Sequence, residues 1–270
     1  MTEAPIISVI VPSYNHSVYV ENAIKSVADQ EPGDFRIDLI VIDDGSTDSS
    51  PALLEQLRAS GTYDFKLVLK SNEGLCKTLN RAVREHAVGA YIAVLASDDM
   101  WKPEKLRVQL DMLQRSEGSE ICFSNAETIG AGGRKGQSST FMFTGKIKPI
   151  LTVYNFVPAG TILFTRALFD KIGGFDENGL KLEDWDFLLR ASNATSFCCV
   201  RENLLIYRVH SEGSLIKMRH SGSLFGEKMK VLQKNSAITS PALRSLSTII
   251  HFCLDRVVRP VMYKLETIGS

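Results

Sequence analysis

Two adjacent carboxylates, Asp98 and Asp99, follow the apolar run 90–95 and precede Trp101-Lys102-Pro103. The run reads as a buried strand, and the proline fits the first turn of a following helix. The pair therefore stands just past the C-terminal end of a strand. In an open α/β sheet that edge is where ligands bind, and paired carboxylates there can hold a hard divalent cation and a hydroxyl. The chemistry suggested is a metal–diphosphate site. Taken alone, an Asp pair more often caps the helix that follows it, so the decision rests on the other polar stretches of the chain.

Those stretches recur at equivalent places. Pro12-Ser13-Tyr14-Asn15 ends a strand over 6–11 that is apolar except for Ser8, and Val20, Ala23, Ile24 and Val27 then fall at helical spacing. A second strand over 37–42 runs into Asp43-Asp44-Gly45-Ser46-Thr47-Asp48, after which Ser50-Pro51 suits a helix start. A third strand over 65–69, a helix over 75–88 and a fourth strand over 90–95 continue the alternation. Strands and helices in this order mean right-handed βαβ units and a mostly parallel sheet. All these polar turns fall at strand C-termini and should meet at one crevice.

Further strands are expected over 121–124, 159–164, 196–200 and 204–209, with helices over 166–172 and 182–190. The glycine-rich stretch 130–136 does not join a clear strand to a clear helix, and Gly145-Lys146 is followed by Ile147 rather than Ser or Thr. It reads as a mobile loop, not a phosphate loop.

A chain of 270 residues, 44% hydrophobic and 23% charged, is an ordinary globular composition. Formal net charge is zero, which favours neither nucleic acid nor an acidic partner. The distribution is uneven: from Leu215 onward there are nine Lys/Arg and three Asp/Glu, so the tail carries about +6 and the first 214 residues about −6. In the tail Leu246, Ile249, Ile250, Cys253 and Val257 share one helical face, opposite Arg244, Thr248, His251, Asp255 and Arg259. Such a helix can pack on its own domain, lie on an anionic membrane surface or pair with another subunit. No stretch reaches the roughly 18 apolar residues of a membrane span, and the start lacks the positive charge of a secretory signal. A cytoplasmic protein, peripheral at most at the inner face of the membrane, is expected. The five cysteines have neither zinc-like nor redox spacing and read as buried thiols.

Taken together, Pro12-Ser13-Tyr14-Asn15, Asp43-Asp44-Gly45-Ser46-Thr47-Asp48, Ser97-Asp98-Asp99 and Glu183-Asp184-Trp185-Asp186 resemble, in order and spacing, the motifs of family 2 glycosyltransferases. The resemblance covers about residues 5–214. It implies a GT-A fold, a Rossmann-related mostly parallel sheet flanked by helices, here with a C-terminal helical extension. It also implies a nucleotide-diphosphate sugar donor, a divalent metal (Mn²⁺ or Mg²⁺) and an inverting transfer. The domain organisation expected is a glycosyltransferase domain over 1–214, with a nucleotide-binding half (1–115) and an acceptor-side half (116–214), then the basic extension 215–270.

By the resemblance, Pro12 and Tyr14 hold the nucleotide base, Asp44 bonds a uracil-type base, and Asp43 contacts the nucleotide or supports its neighbour. Asp98 meets the ribose and Asp99 binds the metal. Ser97 stands where many relatives carry another acid, so that second acidic ligand is missing. Asp184 is the candidate general base with Glu183 beside it. Without the resemblance, Glu183, Asp184 and Asp186 would simply decorate a helix N-terminus. His210 matches a histidine that reaches the metal or the diphosphate, and a structural histidine is the alternative. Arg208, Ser214 and Lys217 are phosphate candidates, Asn72, Gly74 and Lys77 lie near the same edge, and Val157-Pro158-Ala159-Gly160 would border the acceptor.

The function implied is transfer of a hexosyl or N-acetylhexosaminyl unit, from a UDP-sugar, to a growing glycan or lipid-linked glycan in cell-surface polysaccharide biosynthesis. A sugar-nucleotide nucleotidyltransferase and a nicotinamide dehydrogenase both call for a glycine-rich loop after the first strand, which Pro12-Ser13-Tyr14-Asn15 is not. A non-catalytic binding protein on the same scaffold is the other alternative, against which Asp99 and Asp184 both count.

Overall fold

The computed structural model describes residues 4–130, 135–137, 142–210, 216–218 and 221–258. Strands β1 (Ile6–Ser13), β2 (Arg36–Asp44), β3 (Lys66–Lys70) and β4 (Tyr91–Val94) alternate with α1 (Val20–Ala28), α2 (Ser50–Ser60) and α3 (Leu75–Arg81), which runs on into a π-helical turn, Ala82–His86. β1 lies between β2 and β4, and β2 also pairs with β3, all in parallel. There follow β5 (Met100–Trp101), α4 (Lys105–Arg115), β6 (Ser119–Ile129), β7 (Lys135–Gln137), α5 (Lys148–Val153), β8 (Leu163–Thr165), α6 (Arg166–Ile172), α7 (Glu183–Ala194) and β9 (Ser196–Arg208). Helices α8 (Leu224–Lys234) and α9 (Pro241–Phe252) complete the chain, α9 continuing as Cys253–Val258. One sheet in the order β3-β2-β1-β4-β8-β6-β9-β5, with β7 on β6, joins both halves.

Period-two alternation along the central strands divides the core. Val9, Val11, Val41 and Ala93 pack with residues of α1, α2 and α4, while Ile10, Ile40, Ile42 and Ile92 pack with residues of α3, α6 and α7. Strands covered on both faces are apolar along most of their length, and a buried exception, Ser8, donates to Asp38 on the neighbouring strand (2.7 Å). The four residues of α1 expected to face inward are all fully buried.

Several local expectations are corrected. Trp101-Lys102-Pro103 does not open a helix: Met100–Trp101 pairs with β9, Lys102 N–H donates to Leu204 O (3.0 Å), and α4 starts only at Lys105. The two strands expected over 196–209 are one, and register shifts against β6 absorb residues 201, 202 and 204. Of the glycine-rich stretch, 131–134 lie outside the described residues, while 135–137 are a strand on β6. Cys253 is exposed, unlike Cys122 and Cys198.

The C-terminal helices pack on the body of the protein, but α9 is mounted the other way round. Ser247 and His251 are buried, whereas Leu246, Ile249 and Phe252 are 45%, 62% and 51% exposed. The inward face meets polar partners: Ser247 Oγ donates to Val153 O (2.9 Å), and His251 lies 3.1 Å from Lys228 Nζ, itself paired with Asp255 at 2.7 Å. Lys234 pairs with Asp186 (2.8 Å) and Asp176 (3.1 Å), and Lys230 with Glu227. Part of the tail's positive charge is thus neutralised by internal carboxylates. No helix among the described residues is long and apolar enough to cross a membrane.

Candidate functional site

The loops after β1 and β2 are stitched together by short polar side chains. Asn15 takes a left-handed backbone (φ 56°), and its Oδ1 accepts from the N–H groups of Thr47 (2.7 Å) and Asp48 (3.3 Å). Asn is among the few side chains that tolerate this conformation. Asn15 N–H donates to Ser46 Oγ (2.8 Å) and Ser17 N–H to Asp48 (3.0 Å). Burial works against the charged form of Asp48, but hydrogen bonds from Ser50 and Ser17 outweigh it and bring the carboxyl down to about 2. Asp43 is turned inward and accepts both Ser46 N–H (2.8 Å) and Ser46 Oγ–H (2.7 Å), which makes it a brace for its loop.

Asp44 stands at the end of β2 and is 5% exposed. It accepts from Lys70 Nζ, Glu73 N–H (2.9 Å) and Gly74 N–H (3.0 Å), so the 71–74 loop is drawn over it. Gly45 is required next to it: φ is +73°, and a Cβ would lie 2.6 Å from Asn72 N. A carboxylate offers about four acceptor sites, and three are used, leaving one on Oδ2. Pro12 ends β1 opposite Ile42, and Tyr14 is 48% exposed, leaving its ring available for contact.

The Asp98-Asp99 turn lies between this region and the end of β9. Asp99 Oδ1 accepts Arg208 N–H (2.8 Å), Arg208 Nε donates to Asp98 O (3.0 Å), and Asp98 Oδ2 is 2.9 Å from His210 Nε2. Burial, reinforced by the Asp98 charge, holds the Asp99 carboxyl well above the usual range. The ligating atoms of His16, Asp98 and His210 all lie within 4.8 Å of one another. Ser97, where relatives carry an acid, hydrogen-bonds His16 Nδ1 (2.8 Å) and so orients that ring. Tyr19 packs against His210 (5.3 Å between ring centres) with the Arg208 guanidinium 4.9 Å over its ring. His210 is thus brought to Asp98, which had been expected at the ribose, rather than to Asp99, its expected companion at the metal. Asp99 is adjacent but outside the cluster, and no hydrogen bond among the described residues reaches its Oδ2. A Cβ on Gly160 would come 3.8 Å from that oxygen, which places the 157–160 loop beside it.

The residue set fits a divalent cation. The 2.9 Å between Asp98 Oδ2 and His210 Nε2 is close to the ~3 Å edge of an octahedron with ~2.1 Å bonds. The imidazoles favour Mn²⁺ over Mg²⁺, which prefers oxygen ligands.

Asp184 opens α7. Its Oδ2 accepts Asn155 Nδ2–H (3.0 Å), while Asn155 Oδ1 accepts Val157 N–H (3.2 Å), so the 155–160 loop reaches from Asp99 to Asp184. Burial raises the Asp184 carboxyl, partly offset by hydrogen bonds from Trp185 N–H and Asn155. Burial, with the Asp184 charge beside it, pushes Glu183 up to about 8. The two carboxyls act on one another, and the Trp185 N–H and Asn155 donors favour the charged form of Asp184. Asp186 instead ties α7 to its surroundings, because Arg190 grips it through two bonds (2.9 and 2.7 Å) and Lys234 and Asn235 reach it from α8 and the residue after it.

Residues 8–173 match the family model described as Glycosyl transferase family 2. The chain belongs to this family. It is 40% identical over 113 residues, 42% of its own length, to a Bacillus subtilis protein named as the teichuronic acid biosynthesis glycosyltransferase TuaG. It spans 44% of the length of TuaG and 65% of another curated relative. Its fold matches that of S. aureus TarS residues 1–349, solved with UDP-GlcNAc, with a TM-score of 0.65 and 21% identity over 94% of this chain and 76% of that one. It also matches the mannosyltransferase PcManGT of Pyrobaculum calidifontis, solved with GDP-Man and Mn²⁺, with a TM-score of 0.63 and 17% identity over 98% and 79%. The fold is GT-A, as the motifs led one to expect.

Sequence reasoning missed His16, Tyr19 and Asn155. His16 could have been found from its place one residue past the first polar turn; nothing in the sequence singles out Asn155. Gly74 gains a partner in Asp44, Lys77 is exposed, and Ser214 lies outside the described residues.

Proposed function

We propose that this glycosyltransferase is metal-dependent and inverting, and that it moves a sugar from a UDP-sugar to a hydroxyl of a growing or lipid-linked glycan in cell-surface polysaccharide synthesis. The observation that carries the proposal is the succession of contacts that ties the loop after Asp44 to Asn15, His16 to Ser97 of the acidic turn, the 157–160 loop to Asp99, and Asn155 to Asp184. TuaG's name and the ligands of TarS and PcManGT support the glycan and the nucleotide-sugar donor.

On this reading Tyr14 and Pro12 flank the base and Asp44 accepts its N–H on the remaining Oδ2 site. His16, Asp98 and His210 would hold the metal, with Asp99 beside them as a further carboxylate. A divalent cation bound there supplies the positive charge that a departing diphosphate needs. Asp184 takes the proton from the acceptor hydroxyl as its oxygen bonds to the anomeric carbon, while the bond to the diphosphate breaks on the opposite face. Glu183 orients the acceptor or the base.

The test is turnover of UDP-hexoses and UDP-N-acetylhexosamines with Mn²⁺ and glycan acceptors, reading product configuration by NMR. A β-linked product from an α-linked donor is expected. Retained configuration would remove the inverting step, and nucleotide binding without turnover would favour the non-catalytic alternative.

Membrane contact of 215–270 enters this proposal through the exposed side of α9, on an extension that carries nine Lys/Arg against three Asp/Glu. Ile249→Glu combined with Phe252→Glu should abolish co-sedimentation with vesicles containing phosphatidylglycerol. Equal sedimentation of parent and variant would remove this contact.

A further inference from the structure

The reversed mounting of α9 places two polar residues against the segment that holds the proposed base. Ser247 and His251 are one turn apart and so share a face. Ser247 Oγ donates to Val153 O (2.9 Å), and His251 stacks on the Tyr154 ring (5.7 Å between centres, 23° between planes). The next residue, Asn155, donates to Asp184. The other edge of His251 meets the Trp185 ring (5.6 Å, 72°), and Trp185 is the neighbour of Asp184 in sequence. Trp185 Nε1–H in turn donates to Leu151 O (2.7 Å), closing the ring of contacts through α5. One imidazole therefore stands between the residue before Asn155 and the residue after Asp184. Lys228, backed by Asp255, fixes that imidazole at 3.1 Å.

A helix serving only to cover the core would turn Leu246, Ile249 and Phe252 inward, because burying such side chains is worth roughly 1.5–3 kcal/mol each. This helix leaves those three largely exposed and half-buries Leu243, Ile250 and Leu254 beside a fully buried hydroxyl and imidazole, which is explained if the partners of Ser247 and His251 matter as well as apolar burial. We infer that the C-terminal helix belongs to the catalytic apparatus, with His251 and Ser247 as positioning residues that hold Tyr154 and Asn155 so that Asn155 fixes the Asp184 carboxylate. The inference rests on the reading of Asp184 as the base, and it extends the working site beyond residues 8–173 matched by the family model.

The titration of Asp184 in the full chain reports this positioning directly, whatever the donor. Glu183 is the ionisable group whose charge couples to Asp184, and Glu183 in turn faces the Cys76 thiol of α3, on which Asp176, Asp186 and Glu177 also act. Carboxyl NMR of protein labelled with ¹³C-aspartate, with Asp184 assigned from the signal lost in Asp184→Asn, gives its pKa in each variant. Asn155→Ala should raise it by roughly half to one pH unit, because a hydrogen bond to the charged form is lost. Ser247→Ala and His251→Ala should each produce part of that rise. Neither should add to it in the Asn155→Ala background, the non-additivity expected of residues acting through one partner. His251→Phe keeps both ring contacts and should restore the parental value. Thermal unfolding identifies variants that are merely destabilised, and Ser247→Ala, the smallest change, keeps the test open should His251→Ala fold poorly. An Asp184 titration unmoved in a stably folded Ser247→Ala or His251→Ala, or shifts that add in full to that of Asn155→Ala, would overturn the inference. If the shifts occur while Asp184→Asn still turns over, the positioning stands and the base assignment falls.

Discussion

Asp184→Asn should lower kcat about 10³-fold while leaving UDP affinity unchanged. General-base catalysis by a positioned side chain contributes roughly 10²- to 10⁴-fold, and an amide of the same shape cannot accept the acceptor's proton. Nucleotide affinity is untouched because Tyr14 and Asp44 lie on the loops after β1 and β2, whereas Asp184 stands on α7. The parent should also lose activity on acidification earlier than an ordinary aspartate would dictate. Burial raises the Asp184 carboxyl, so the proton that blocks it arrives at a higher pH. Steady-state rates from pH 4 to 9, with calorimetry on both proteins, check the two points. Rates that survive in the variant would end the assignment.

UDP binding should require a divalent cation and fall by about 10- to 100-fold when His210 or Asp98 is replaced by alanine. A diphosphate without a counter-charge meets Asp98 and Asp99 directly, and two unit charges ~4 Å apart cost several kcal/mol at the effective dielectric of a protein surface. With the cation in place the sign reverses. His210→Ala removes a ring that belongs both to the ligand cluster and to the stack on Tyr19. Asp99→Ala tests the other carboxylate: an equal loss would put it in the coordination shell, and a small one would leave the cluster as His16, Asp98 and His210. Calorimetry of UDP and GDP with Mn²⁺, with Mg²⁺ and after chelation gives the answer. Equal UDP affinity with and without metal would refute the proposed centre.

Much of the fold was legible because its central strands are covered on both faces and have no polar phase to confuse the reading. Residues 6–11, 37–42 and 90–95 announce β1, β2 and β4 for that reason, and the polar turns after them could only fall at one sheet edge. Harder to read were contacts made by single pairs far apart in sequence. Ser97 looks like a missing acid until His16, 81 residues away, is found bonded to it. Asn155 is an unremarked polar residue until its amide is seen on Asp184. The periodicity of α9 gave two faces correctly but not which one turns inward. That choice depends on what the receiving surface offers, here a carbonyl and an aromatic ring.

The strand order also dictates when the pocket can exist during synthesis. β9 is made late but inserted between β6 and β5, and Asp98 waits for His210, 112 residues further along the chain. At roughly 5–20 residues per second a ribosome needs about 6 to 22 s to cover that distance. In that interval the β1–β4 unit can assemble, yet the acidic turn at its edge has neither its imidazole nor the backbone N–H of Arg208. The nascent amino-terminal half is therefore a scaffold without a finished nucleotide pocket, which is completed only when the last strand of the sheet is in place.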